Sequence, residues 1–342
     1  MHKIILDTDP GVDDAMAIAY AFAHPEIELL ALTTVFGNVN IELTTRNAQY
    51  ILDVLGAEDV AVARGAAIPC VQSPLAHAEF VHGADGIGNV YPGSSPAAAA
   101  SQAARLRSDA RHARVDELDA ADFIITQAKE HPGEITLVAV GPLTNIAEAL
   151  QREPQLPSLI KALVVMGGTV AEPGNVSPVA EANFLNDPQA ADSLMAADWP
   201  MTLVGLDVTH QIMLLDSHLQ QLENAGPAGR LIWESSRFYV DFYTRSGAAR
   251  EIVEAGGEAR CAMHDAAAIA YVVLPEAFGV VSGAARVVDD GIAVGQLAID
   301  RKGYSYALPH WQQRPATHAC MSVNADQVID NFLQTIIDQH RR

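Results

Sequence analysis

At 342 residues and 49% hydrophobic content, the chain can bury a sizeable core, in one large domain or two smaller ones. Its 42 acidic against 21 basic side chains give a formal net charge of -21, which opposes the counterion release that nucleic-acid binding depends on and excludes a polyanionic partner. Three dispersed cysteines (Cys70, Cys261 and Cys320), with no CxxC among them, exclude a disulfide framework and a zinc knot and fit a reducing cytoplasm.

From the N-terminus, MHKIILDTD has no apolar run of signal-peptide length, and no later stretch reaches that of a membrane span, so a cytoplasmic protein is expected. Short apolar runs then alternate with segments of helical period. Strands are expected over residues 3–7, 28–35, 135–141, 162–168 and 201–207, several apolar throughout, as strands covered on both faces must be. Helices are expected over residues 13–23, 41–55, 118–130, 143–150, 188–197, 217–224, 228–244, 265–273 and 326–339, most of them ended by Gly or Pro. This alternation predicts an α/β fold with a mostly parallel central sheet flanked by helices. Residues 93–117, GSSPAAAASQAARLRSDARHARVDE, carry no apolar stripe and read as a surface insertion or mobile loop.

The stretch ILDTDPGVDD places Asp7, Asp9, Asp13 and Asp14 in one window. If residues 3–7 form a strand and Asp13 opens a helix, the turn between lies at the carboxyl end of a parallel strand, where open α/β sheets bind ligands. Free helix N–H groups offset part of the repulsion, and a hard cation, Ca²⁺ or Mg²⁺, would offset the rest. The plain alternative is a solvated helix cap. A DxD after a first strand also suits Mg²⁺-assisted aspartyl-phosphate chemistry of the haloacid dehalogenase type, but there Gly usually follows the second Asp, and here it is Pro10.

Further on, VHGADGIGN at residues 81–89 offers His82 on a Gly-rich loop, and VGPLTNIAEAL at 140 is a strand-to-helix turn whose free carbonyls could join a cation site. GNVSPVAEANFLNDPQAA, residues 174–191, gathers Asn175, Glu181, Asn183, Asn186 and Asp187, a mixture of donors and acceptors suited to several sugar hydroxyls. An Asx-rich loop leading into a helix at Asp187 accounts for the same residues. Asp265 in HDAAAIA sits at a helix start, and RFYVDFYTR at 237–245 repeats aromatics at helical spacing, with core packing the default reading.

Taken in order, DTDPGVDD at 7, TTVFGNVN at 33, HGADGIG at 82, VGPLTNIA at 140, MGG with GNVSPVAEANFLNDPQAA, GLDVTHQ at 205 and HDAAAIA at 264 resemble the inosine-uridine-preferring nucleoside hydrolase family. The resemblance implies a single domain over residues 1–342 that hydrolyses ribonucleosides to ribose and free base, with Ca²⁺ at the carboxyl ends of its strands. It implies Asp9, Asp14, Asp265 and the Val140 carbonyl as metal ligands, and Asp13, Asn38, Asn175, Glu181 and Asn183 around the ribose. Asp9 would be the general base and His264 the general acid, with His82 near the base. It also implies a homodimer or homotetramer. Ala182 stands where many family members carry Phe against the ribose. His264 in place of a Trp favours the inosine-uridine group over the purine-specific one. Phe238, Tyr239, Phe242 and Tyr243 are candidates for an aromatic lid. Two other readings are a metal-dependent ribose or nucleoside binding protein without turnover, and the dehalogenase-type phosphatase.

Overall fold

Strand β1 (His2–Thr8) shows why the expected strands lack polar alternation: Ile4 and Leu6 enter one apolar cluster, and Ile5 between them enters the other. Both faces of the sheet are therefore covered. The computed structural model describes residues 1–93, 116–304, 306, 308–312 and 314–341. The expected insertion at 93–117 lies almost wholly outside the described residues.

The remaining strands are β2 (Ile27–Thr34), β3 (Ala61–Arg64), β4 (Ile135–Ala139), β5 (Ala162–Met166), β6 (Met201–Val204), β7 (Met213–Leu215), β8 (Arg260–Ala262), β9 (Phe278–Val287), β10 (Leu297–Ile299) and β11 (Ala316–Val323). Nine of the eleven described strands form one sheet in the order β10-β9-β11-β6-β5-β4-β1-β2-β3, and β7 pairs with β8 in a small antiparallel ribbon. Pairing is parallel from β3 through to β11, and β9 and β10 close one edge antiparallel. The mostly parallel α/β sheet expected from the sequence is the one observed.

The helices used below are α1 (Val12–Ala23), α2 (Ile41–Leu55), α3 (Glu79–His82), α4 (Ala120–Glu130), α5 (Thr144–Arg152), α6 (Ala182–Asn186), α7 (Pro188–Met195), α8 (Leu206–Thr209), α9 (Asp216–Leu222), α10 (Gly226–Thr244), α11 (His264–Val273) and α12 (Ala325–Arg341). Most match the sequence expectation closely, since apolar periodicity and Gly or Pro stops set their bounds. Among the described residues, no helix is long and apolar enough to cross a membrane.

Which face each helix covers positions the site. Helices α1, α2, α10, α11 and α12 pack on the face that carries Ile4, Leu6 and Val138, whereas α4, α5 and α7 pack on the face of Ile5, Leu137 and Leu163. The chain thus leaves β1 for one side and neighbouring β4 for the other. Between the carboxyl ends of two such strands a crevice opens, the topological switch point of a doubly wound sheet. Asp9 follows β1 and Val140 follows β4, so both stand at its rim.

The sequence reading missed β3, β7, β8, β9, β10 and β11. Four of these have only three or four residues, too few to show a period. The ten-residue β9, FGVVSGAARV, is interrupted by two glycines and half exposed, so its pattern is weak.

Candidate active site

The turn after β1 is closed by a capping carboxylate. Asp14, in the first turn of α1, accepts the Gly11 N–H at 2.7 Å, and its other oxygen accepts the Thr8 hydroxyl. Asp14 is fully buried, as an N-terminal cap can be when its oxygens are satisfied.

Asp9 is clasped by the next loop. Its Oδ2 accepts the Asn38 N–H at 2.8 Å, and the Asn38 amide donates back to the Asp9 carbonyl and to Asp14 Oδ2, each at 3.2 Å. A Cβ on Gly37 would fall 2.0 Å from Asp9 Oδ2, and one on Gly141 2.6 Å from Oδ1. Both positions must therefore be glycine for the carboxylate to fit. Asp9 Oδ1 is buried with no hydrogen-bond partner, a costly arrangement unless something else meets it.

Asp13 and Asp265, one at the start of α1 and one at the start of α11, complete the cluster. Asp13, Asp14 and Asp265 each offer an oxygen within 4.8 Å of the others, and all three are buried. Burial pushes the Asp13 carboxyl up to about 8, with Asp14 adding to it. Burial and then the charges of neighbouring aspartates raise Asp9 and Asp265 well above the carboxylate range, and burial raises Asp14 too, against the pull of its Thr8 and Gly11 bonds. Four carboxyls driven toward their neutral forms, with one oxygen orphaned, form a donor set of oxygens alone. That set fits a hard divalent cation, whose charge would reverse every one of these shifts.

A second group faces this cluster from β4 and β5. Asn183 donates its side-chain amide to the Val140 carbonyl at 2.8 Å and to the Met166 carbonyl at 3.2 Å, which leaves its own side-chain oxygen as the free acceptor. The Val140 carbonyl keeps a second lone pair beyond that bond. Glu181 caps α6: Oε1 accepts the Asn183 N–H at 2.8 Å, and Oε2 those of Gly168 and Phe184 at 2.9 and 3.1 Å. Burial raises its carboxyl to about 7 despite these bonds. Asn175 lies farther out, exposed, its Oδ1 accepting the Ala182 N–H at 3.0 Å. Behind Ala182, the buried Phe184 ring fills the space over Gly167 and Gly168.

Two histidines flank the aspartates. His82, at the end of α3, accepts the Val12 N–H at Nδ1 at 3.2 Å, and its ring stacks on Tyr239 at 5.6 Å. Burial pushes it down to about 3, so its 3.9 Å approach to Asp13 is not an ion pair. His264, next to Asp265, is bonded at both nitrogens, Nδ1 to the Thr209 hydroxyl at 2.7 Å and Nε2 to the Tyr243 hydroxyl at 2.8 Å. Burial, then the neighbouring His210 and His82, push it down to about 3.

Helix α10 forms the wall over this pair. Tyr239 reaches Asp13 Oδ2 at 3.3 Å, and Tyr243, one turn on, reaches His264. The helical aromatic spacing thus serves core and site together, since Tyr239 is also part of the apolar cluster. Sequence reasoning gave no role to Thr8 or Thr209. Thr209 lies inside the quoted GLDVTHQ, but its meaning depends on α8 meeting α11.

Asp9, Asp13, Asp14, Asn38, His82 and Asp265 are thus brought together, Val140, Asn183 and Glu181 adjoin them across β4, and Asn175 stands at the exposed edge. A family model described as inosine-uridine preferring nucleoside hydrolase matches residues 4–330. Uridine nucleosidase 1 of Arabidopsis thaliana is 38% identical over 301 residues, covering 88% of this chain and 82% of the relative. The inosine-uridine preferring nucleoside hydrolase of Leishmania major is 40% identical over 278 residues, 80% of this chain and 79% of its own. Among solved structures, a plant nucleoside hydrolase superposes with a TM-score of 0.85 at 32% identity, covering 98% of this chain and 99% of that one. A purine-preferring ribonucleoside hydrolase from Gardnerella vaginalis gives 0.82 at 31% identity, with 99% of each chain covered.

Proposed function

The chain belongs to the inosine-uridine preferring nucleoside hydrolase family and is an N-glycosyl hydrolase of ribonucleosides, and we propose that its four-aspartate cluster and His264 carry the reaction. The observation behind this reading is the orphaned Asp9 Oδ1 in a buried nest of carboxyls at the switch point. The phosphatase reading has no place in this family.

We assign the cation as Ca²⁺, held by Asp9, Asp14, Asp265 and the Val140 carbonyl, with Asp13 close enough to Asp14 and Asp265 to share its field. When bound, it would keep the carboxylates ionised, grip sugar hydroxyls and acidify a water. Asp9 Oδ1, with no other partner, takes the proton of the attacking water as its oxygen bonds the anomeric carbon. Asn38 holds that carboxylate in place through Oδ2.

Asp13, Asn38, Asn183, Glu181 and Asn175 hold the ribose. Asn183 offers its free side-chain oxygen to a hydroxyl, and Asp13 and Glu181 set negative charge beside a sugar that turns positive in an oxocarbenium-like transition state. As the N-glycosidic bond breaks, the base takes the electron pair and a proton from His264. Burial holds the resting imidazole neutral, so the ring must first take up a proton from solvent, which it then passes to the base as negative charge grows there. His82 lies beside the base.

Uridine and inosine are the proposed substrates, in keeping with the names of the relatives above and with a role in nucleoside salvage. We also carry forward the cytoplasmic location and the homodimer or homotetramer that the resemblance implies; light scattering on the eluted protein reads the oligomer. The test of the activity is a chromatographic panel of inosine, adenosine, guanosine, uridine, cytidine and a deoxynucleoside, with and without prior calcium removal. Calcium-dependent release of base from ribonucleosides but not from the deoxy control is expected. No release from any of them would leave the reading as a nucleoside-binding protein without turnover.

A further inference from the structure

Thr209 is the last residue of α8, fully buried, and its backbone N–H is fixed on the Gly205 carbonyl at 3.1 Å. The helix is held in turn by Asp207, whose carboxylate accepts the Val170 and Ala171 N–H groups at 2.7 Å each. From this fixed point the hydroxyl meets His264 Nδ1 at 2.7 Å. On the far side of the ring Tyr243 meets Nε2, and the His210 ring stands edge-on to it at 5.6 Å.

We infer that Thr209 is the positioning residue for His264, its hydroxyl holding Nδ1 and so fixing the plane of the imidazole, which leaves Nε2, the nitrogen met by the Tyr243 hydroxyl, as the one that would reach the departing base. The inference rests on the reading of His264 as the group that protonates that base. A hydroxyl suits this position for a chemical reason. By turning about its Cβ–Oγ bond it accepts from an Nδ1–H or donates to a bare Nδ1, so it orients the ring in either protonation state. A carboxylate there would stabilise the imidazolium and favour a base. Thr209 adds no charge, so its part is to orient the ring.

The test compares two leaving groups on the same preparation. A nucleoside base such as hypoxanthine needs a proton as it leaves, whereas p-nitrophenolate, from p-nitrophenyl β-D-ribofuranoside, leaves without one. Thr209→Val should lower the ratio of inosine to nitrophenyl-riboside turnover about 10- to 100-fold, the cost of a misplaced proton donor. Thr209→Ser, which keeps the hydroxyl, should restore it. Loss of folded protein cancels in the ratio, and Thr209→Ala, which removes the hydroxyl without added bulk, is read in the same way. Equal loss on both substrates, or no change in the ratio, overturns the inference. His264→Gln separates the two levels. If it lowers the ratio and the Thr209 variants do not, Thr209 alone is wrong; if it does not, the acid role of His264 falls and this inference with it.

Discussion

Two places in this molecule remove aspartates from water, and they do so in opposite ways. On the far face of the sheet, Asp192 of α7 lies under two guanidinium groups, with Arg286 bidentate at 2.8 and 2.9 Å and Arg314 at 3.2 Å, and it also accepts the Val287 N–H. Burial pushes its carboxyl up, but the Arg286 bond, the Val287 N–H and both cationic charges bring it below its ordinary value. At the switch point, Asp9, Asp13, Asp14 and Asp265 have no lysine or arginine partner in any of these bonds, and burial with mutual repulsion raises them all. One site spends its charge on holding strand β9 to a helix. The other keeps its charge unpaired, at a cost in stability, and the difference marks where a ligand belongs.

The largest expected effect breaks the unpaired site. Asp9→Asn should lower nucleoside turnover by at least ~10³-fold, because the proposed general base and one proposed cation ligand would go together. Removing one charge from a self-repelling cluster should at the same time leave the melting temperature of the calcium-free protein equal or higher. A variant that melted lower and kept its turnover would show Asp9 to be a structural residue like Asp192.

Calcium and pH sharpen the contrast. Saturating Ca²⁺ should raise stability by about 2.7 kcal/mol at a hundredfold excess over its Kd, read as a shift in melting temperature that a chelator reverses. Without calcium, Asp13, at about 8, and Glu181, moved from 4.5 to about 7, bind protons more tightly folded than unfolded. Their contribution is complete below the ordinary carboxylate range and is lost as pH rises through 7 to 8. Melting temperature of the calcium-free protein should therefore fall from pH 5 to pH 8, and calcium should flatten that slope. A slope that is the same in both states would mean that the cation does not bind at these carboxyls.

Much of the unpaired site was legible because it is local. DTDPGVDD puts Asp9, Asp13 and Asp14 within one turn, and a strand-then-helix pattern is enough to place them at a sheet's carboxyl edge. Asp265 was legible only through resemblance, since a capping Asp at a helix start looks like any other. The hidden parts depend on juxtaposition. Val140 contributes a carbonyl, which no side-chain type announces. Thr209 and Tyr243 acquire meaning only when α8, α10 and α11 converge on His264. Glu181 departs from the plain image of a sugar ligand, since both its oxygens already carry backbone N–H groups. The Asp192 cluster was not legible at all, because Asp192 stands 94 residues from Arg286 and 122 from Arg314 and no periodicity links them.

The smallest expected effect breaks the paired site. Asp192→Asn keeps the shape and one acceptor but turns amide protons toward guanidinium protons, with the Arg286 and Arg314 side chains only 24% and 15% exposed. Leaving such groups without their anion should cost about 1–3 kcal/mol, a melting temperature lower by a few degrees in a chain of this size. The sign of its pH dependence is the opposite of the other cluster's. A carboxyl held below its ordinary value stabilises the protein above that value and loses its effect as pH falls through the folded one. Wild type and variant should therefore differ most near neutrality and converge in acid. Turnover per folded molecule should be unaffected, since Asp192 lies against β9 and not at the crevice. If the variant instead lost turnover in step with Asp9→Asn, the two regions would be coupled, and unpaired charge could no longer serve to tell the functional aspartates from the structural one.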